Sequence, residues 1–457
     1  MFPAGEWGNA RDISCRASAA ASGDRGLRVS KSAPRRGRLK HSALGVAAAT
    51  AVALAVAACS AGSAARTTDA AAAHQHQAEQ LPQLTIEPGN DLSGVQPGSV
   101  ITVHAAHGTL HSVHIDGGGH QVRGQLSDNG TTWRSSQRLY LSRHYTVTAT
   151  AVGADRKTAT ATSSFSTVKP QGTFQASTIM GFKQQYGVGM PIILNFSRAI
   201  TRKAAIERAI SITSSRPVVG AWYWDGDKTL YFRPRTYWPQ HTRVSFDARL
   251  SGVEGAPGIY GRHDLSQTFE IGPSLIVSVS TRSHYMHVYY QRRLWHVWAV
   301  STGRPGDDTP NGTYLTIDKG NPVDMVGPGY NIEVPWSVRF TWSGVYIHDA
   351  YWSVAEQGIT NVSHGCVNTS PAHAAEYYKL AVPGDPVTVT GSPVAGTWDD
   401  GWTVWFLSWN KLLQGSPLHE AVLAGPQGST LTSPSQVATA HATAPLDRPH
   451  AHNARAE

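Results

Sequence analysis

Cysteine is scarce in this chain of 457 residues: there are three, Cys15, Cys59 and Cys366. So thin a set excludes a small disulfide-stapled scaffold. Charge is thin as well, with Asp, Glu, Lys and Arg at 15% of residues, too few for a protein of long, salt-bridged amphipathic helices. No apolar run reaches the roughly twenty residues of a good membrane span. There is no HExxH helix and no second cysteine beside Cys366, so the common zinc frameworks are missing.

The formal charge of +8 suggests nucleic acid until its distribution is read. Residues 1–58 hold nine Lys or Arg against three acids, a surplus of six that leaves +2 for everything after them. No basic face remains for a polyanion, and nucleic acid is not an expected partner. The basic stretch Arg35 to Lys40 is followed by about fifteen small apolar residues, the order of a secretory signal. That stretch ends in Val56-Ala57-Ala58-Cys59, which resembles the lipobox of bacterial lipoproteins. The resemblance implies export, lipidation of Cys59 and attachment to the cell membrane, facing the wall. Residues 1–59 are then a leader, and 60–81, poor in large apolar residues, a flexible tether. With Cys15 discarded and Cys59 carrying lipid, Cys366 is the single thiol kept in an oxidising compartment, where an unused thiol is a liability.

What is abundant is Gly, Thr, Ser, Val and aromatics in short alternating runs, which predict a mainly β protein. VITVHA, LHSVHI, YTVTATAV and TATATSSF alternate with period two between Gly- and Asn-containing turns and predict one immunoglobulin-like sandwich over 82–170. PIILNF, AWYWD, TLYFRP and RVSFDARL predict a second over 171–272, with a hairpin at Asp225-Gly226 and a short helix opening at Thr201. Trp222, Tyr223 and Trp224 are read as packing residues. A third, β-rich unit spans 273–391 and contains PAHAAEYYKLA, a helix of about ten residues after Ser370. The Trp-rich segment 392–424 is expected to pack on that third unit, and 425–457 reads as a disordered polar tail.

Cys366 lies in NVSHGCVNTS, with His364 two residues before it and His348 eighteen before it in YIHD. A thiol is a strong nucleophile only as thiolate, so it needs a base or a cation nearby. Either histidine meets that need, and Gly365, with no Cβ, lets backbone amides approach a developing oxyanion. A structural cysteine beside a histidine and a zinc site of His348, His364 and Cys366 are the competing readings of those residues alone.

The wider pattern narrows them. His348, then Ser363-His364-Gly365-Cys366-Val367-Asn368, together with STG at 301–303, TPNGTY at 309–314 and PGY at 328–330, resembles the L,D-transpeptidases of mycobacteria and other actinobacteria. The resemblance implies Cys366 as nucleophile and His348 as general base. It further implies that His364, Gly365 and Asn368 shape an oxyanion pocket, Ser363 orients, Tyr330 lies on a lid and Trp352 lines the wall. No cofactor is implied; the partners are peptidoglycan stem peptides, the product a 3→3 cross-link, the protein a monomer, and carbapenems acylating inhibitors. Hydrolysis by the same thioester, protein anchoring, or an inactive wall-binding lipoprotein are the rival outcomes. Two departures stand out: Asp349, expected to orient the base, stands where relatives often have a small polar residue, and the lid hairpin between Ile317 and Tyr330 is short.

Overall fold

The computed structural model describes residues 80–119, 121–327 and 330–432. The leader, Cys59, most of the tether and the tail beyond 432 lie outside the described residues. Two sheets build the first sandwich. One runs in the order Gln83–Glu87, Thr102–Ala106, Thr132–Ser135, Gly124–Leu126, and the other Leu92–Val95, Thr158–Thr167, His144–Val152, Thr109–Asp116. Period two explains the faces: Tyr145, Val147, Ala149 and Ala151 are fully buried, while Thr146 and Thr150 between them meet Ser164 and Thr160 through their hydroxyls.

The second sandwich is larger and holds the aromatic core, with Trp222, Trp224, Phe232, Trp238, Phe246 and Phe269 buried together. Tyr223, between two of these, packs edge-on against Trp398. Asp225 pairs with Thr229 across the hairpin at Gly226, whose φ of +59° favours glycine. The helix begins slightly later than expected, at Lys203–Arg208, with Arg202 at its N-cap and no side-chain cap.

The end of the chain departs from expectation. Ala421–Gly425 and Gly428–Thr432 form a hairpin, although the composition of 425–457 reads as disordered. Ala421–Gly425 lies inside the second sandwich's main sheet, antiparallel to Val218–Asp225 and beside Ile210–Ser214. The Trp-rich segment before it packs against that sandwich as well as the third unit. Trp398 donates to Asp225, Arg233 donates to the carbonyls of Val404 and Leu407, and Ser416 donates to buried Glu207. The physical reason is aromatic area: Trp398 and Trp405 find partners in Tyr223, Tyr231 and Tyr237.

The third unit carries a five-stranded sheet, Arg293–Ala299, Tyr285–Tyr290, Leu275–Ser280, Pro386–Thr390, Gly312–Leu315, and a four-stranded one, Asp318–Gly320, Ser337–Arg339, Tyr346–Asp349, Val367–Thr369. Val277, Val279, Met286, Phe340, Ile347 and Val367 form the shared core. The helix Pro371–Leu380 starts at a Ser370 cap accepting from the His373 amide and packs on strand Tyr346–Asp349.

Candidate active site

Strands Tyr346–Asp349 and Val367–Thr369 pair in parallel, Ile347 with Val367 and His348 with Asn368. Ile347 and Val367 are fully buried in the core, so their neighbours project from the opposite face. Carried back one pair, the register sets Cys366 beside Tyr346, two residues before His348 on that face. The Tyr346 amide donates to Cys366 Sγ at 3.4 Å, and Gly344 O lies 3.8 Å from the sulfur.

His348 is 3% exposed. Its Nδ1 lies 2.6 Å from the main-chain oxygen of Asp349. A carbonyl can only accept, so Nδ1 carries the proton and Nε2 keeps its lone pair. Burial pushes the imidazole down to about 4, against a smaller opposing pull from that carbonyl. It therefore rests neutral at pH 7, as a proton acceptor must. Trp352 stacks on its ring, centroids 5.9 Å apart and planes at 29°.

The orienting role expected of Asp349 falls to its main chain. Its carboxylate is buried, Oδ1 has no hydrogen-bond partner among the described residues, and burial pushes its pKa up. The loop before the thiol is held by side chains to backbone. Ser363 Oγ donates to Cys366 O at 2.6 Å and accepts from the Gly365 amide at 3.1 Å. Thr309 Oγ1 donates to Gly365 O at 2.6 Å and accepts from Gly303 N. Gly365 has φ +119°, and a Cβ there would meet only Asp307 O, at an ordinary 3.6 Å, so backbone conformation rather than room requires glycine.

His364 is exposed, and its ring sits 5.0 Å from that of Tyr330 at the start of the second strand of a hairpin, Val323–Gly327 and Tyr330–Val334. Asn368 differs from expectation. Its side chain is buried and donates to Ser353 Oγ at 2.9 Å, anchoring the turn that carries Trp352. The Gly365 amide, already given to Ser363, is likewise not a spare oxyanion donor. Sequence reading missed Thr309, Gly344 and Tyr346 as neighbours of the thiol loop. Thr309 opens the noted TPNGTY run, but nothing local marks it as a clamp.

Comparison with known proteins identifies the family. Residues 274–389 match the L,D-transpeptidase catalytic domain, and 92–254 match a bacterial Ig domain. L,D-transpeptidase 5 of Mycobacterium tuberculosis is 33% identical over 350 residues, 74% of this chain and 77% of the relative. L,D-transpeptidase 2 of the same species is 31% identical, covering 74% and 85%. A solved L,D-transpeptidase in complex with imipenem is 33% identical over 47% of this chain and 97% of that one, with a TM-score of 0.40. An L,D-transpeptidase catalytic domain behind an Ig-like region places the chain among the cell-wall transferases. The chain belongs to the L,D-transpeptidase family, transferases acting in peptidoglycan cross-linking.

Proposed function

We propose that Cys366 is the nucleophile and His348 the base of a 3→3 peptidoglycan cross-linking reaction. The observation that supports it best is the in-register parallel pairing, which sets the thiol beside a strand whose next outward residue is a neutral imidazole with its lone pair on Nε2. His348 takes the thiol proton, and sulfur attacks the carbonyl carbon joining a diamino acid to the terminal D-alanine of a tetrapeptide stem. The C–N bond breaks, D-alanine leaves with that proton, and a thioester remains. An amine of a second stem then attacks the thioester, passes its proton through His348 to the departing sulfur, and forms the new amide. Because the thioester conserves the energy of the broken bond, no nucleotide enters. Tyr330 and His364 cover one side of the thiol loop and Trp352 the base; these are the proposed stem-contacting groups.

Lipidation of Cys59 and a membrane-anchored, wall-facing monomer complete the proposal, resting on the lipobox-like segment. The test is intact mass after exposure to imipenem, then to tetrapeptide stems. One adduct per chain, lost in Cys366→Ala, and dimeric stem products are expected. Tripeptide without dimers would replace transfer by hydrolysis, and an adduct that survives Cys366→Ala would remove Cys366 from the mechanism.

A further inference from the structure

Two atoms that approach the sulfur, Gly344 O and Tyr346 N, belong to one turn, residues 341–344, and to the strand that follows it. Within that turn the Val345 amide donates to Thr341 Oγ1 at 2.9 Å, and Thr341 Oγ1 meets Ser343 Oγ at 2.9 Å. From outside, Asp400 of the C-terminal segment grips it. Oδ1 accepts from the Ser343 amide and Oδ2 from its hydroxyl, each at 2.6 Å. The backbone beside Asp400 lies flat on the turn, so that a Cβ at Gly401 would come 3.1 Å from Phe340 O. Trp402 meets Trp342 edge-on at 5.8 Å.

We infer that Asp400 is a positioning residue for the Cys366 thiol, acting through Ser343 and the 341–344 turn; this rests on Cys366 being the nucleophile. An amide N–H pointed at sulfur stabilises the anion, whereas a carbonyl beside it favours the protonated thiol. Which of the two dominates depends on where the turn sits, and a carboxylate accepting two charge-assisted bonds from one serine fixes that position more firmly than a neutral group would. The C-terminal segment thus joins the nucleophile's surroundings through the turn.

The experiment compares full-length wild type with Asp400→Ala, Asp400→Glu, Ser343→Ala and Ser416→Ala. Ser416→Ala loosens the same segment where it meets the second sandwich, away from the turn. The readouts are the pH profile of Cys366 alkylation by iodoacetamide, the imipenem acylation rate, and kcat against KM for a tetrapeptide donor. Asp400→Ala is expected to move the alkylation profile to higher pH and slow acylation about tenfold, the worth of a hydrogen bond involving a charged group, with KM unchanged. Asp400→Glu recovers part of the loss, Ser343→Ala reproduces the shift more weakly, and Ser416→Ala leaves the profile in place. A folded Asp400→Ala with the wild-type profile, or an equal shift in Ser416→Ala, overturns the inference. If Asp400→Ala fails to fold, a wild-type profile in Ser343→Ala overturns it instead. Absence of an imipenem adduct on wild-type Cys366 sinks the nucleophile reading, while the alkylation profiles still judge the positioning.

Discussion

The two sandwiches obey the same alternation, yet they are completed differently. Among the described residues the first draws its strands from Gln83 to Thr167 and meets the second through groups such as Tyr260 Oη, donating to Gln96, and Pro97, close to Gly252. The second borrows a strand from the end of the chain. It is also bonded to the third unit, with Gly187 N donating to Pro383 O and Gly189 N to Gly384 O. Trp405 of the C-terminal segment closes the seam by donating to Gly189 O. The first sandwich is an appendage; the second is part of the body that holds the thiol.

Deleting Ala421–Thr432 strikes that difference hardest. It opens the main sheet between Val218–Asp225 and Ile210–Ser214, strands paired across the deletion, and uncovers Val219, which is buried against Ala421. The expected loss is comparable with the stability of a whole domain, about 5–15 kcal/mol, seen by calorimetry as the disappearance of one cooperative transition. Removing 82–170 should instead leave the remaining transition and the imipenem acylation rate within about twofold. Equal damage from both deletions would erase the distinction.

Why the borrowed strand was illegible follows from its composition. AVLAG has five residues, mostly small, and no alternation. Its partners lie about two hundred residues earlier, and periodicity carries no information about so distant a pairing. The thiol motif, the Ser370 cap and the hairpin at Gly226 were legible because each is a local rule: side-chain type, spacing and backbone freedom within a few residues. The main-chain hold on His348, the Ser353 tie of Asn368 and the Asp400 grip were not, since each depends on where a neighbouring backbone passes.

Acid separates the two regions next. Among the described residues the first sandwich buries no Asp, Glu, His, Lys or Arg, whereas the rest buries Glu207, Arg233, His348, Asp349 and Asp385. His348 titrates near 4 when folded, below its unfolded value of 6.5. Between those values the unfolded chain binds more protons, so its contribution is complete above pH 6.5 and is lost as pH falls toward 4, at most about 3 kcal/mol. Because Asp349, Asp385 and Glu207 carry raised pKa values whose effect has the opposite sign, the loss is read as the difference between wild type and His348→Asn, in thermal unfolding of the body and not of the first sandwich. A wild-type slope in His348→Asn would mean another group is responsible.

A smaller effect is expected from one methyl group. At Gly187 a Cβ would fall 2.3 Å from Asp385 N and 2.4 Å from Gly384 C, both backbone atoms across the seam. Gly187→Ala should cost about 1–3 kcal/mol as overpacking. At Gly153 of the first sandwich the nearest atom is the side-chain oxygen of Asp155, at 3.0 Å, and Gly153→Ala should stay within about 0.5 kcal/mol. Matched denaturant titrations decide whether the seam is as tight as its hydrogen bonds imply.

The smallest change tests the seam's chemistry rather than its fit. Glu207 is buried between Trp224 Nε1, which donates at 2.7 Å, and Ser416 Oγ, which donates at 2.6 Å. Burial raises its pKa despite those bonds, so its folded form holds a proton more readily than its unfolded form. The sign is opposite to that of His348: its favourable contribution is present below the unfolded carboxylate value and lost as pH rises through the folded one. Glu207→Gln keeps an oxygen for Trp224 and presents an amide that can donate to Ser416, which removes the charge but not the bridge. It should gain about 1 kcal/mol at pH 7 relative to pH 4, in the difference between variant and wild type. A difference that does not change with pH would mean Glu207 holds the C-terminal segment through hydrogen-bond geometry alone, with its charge at no cost.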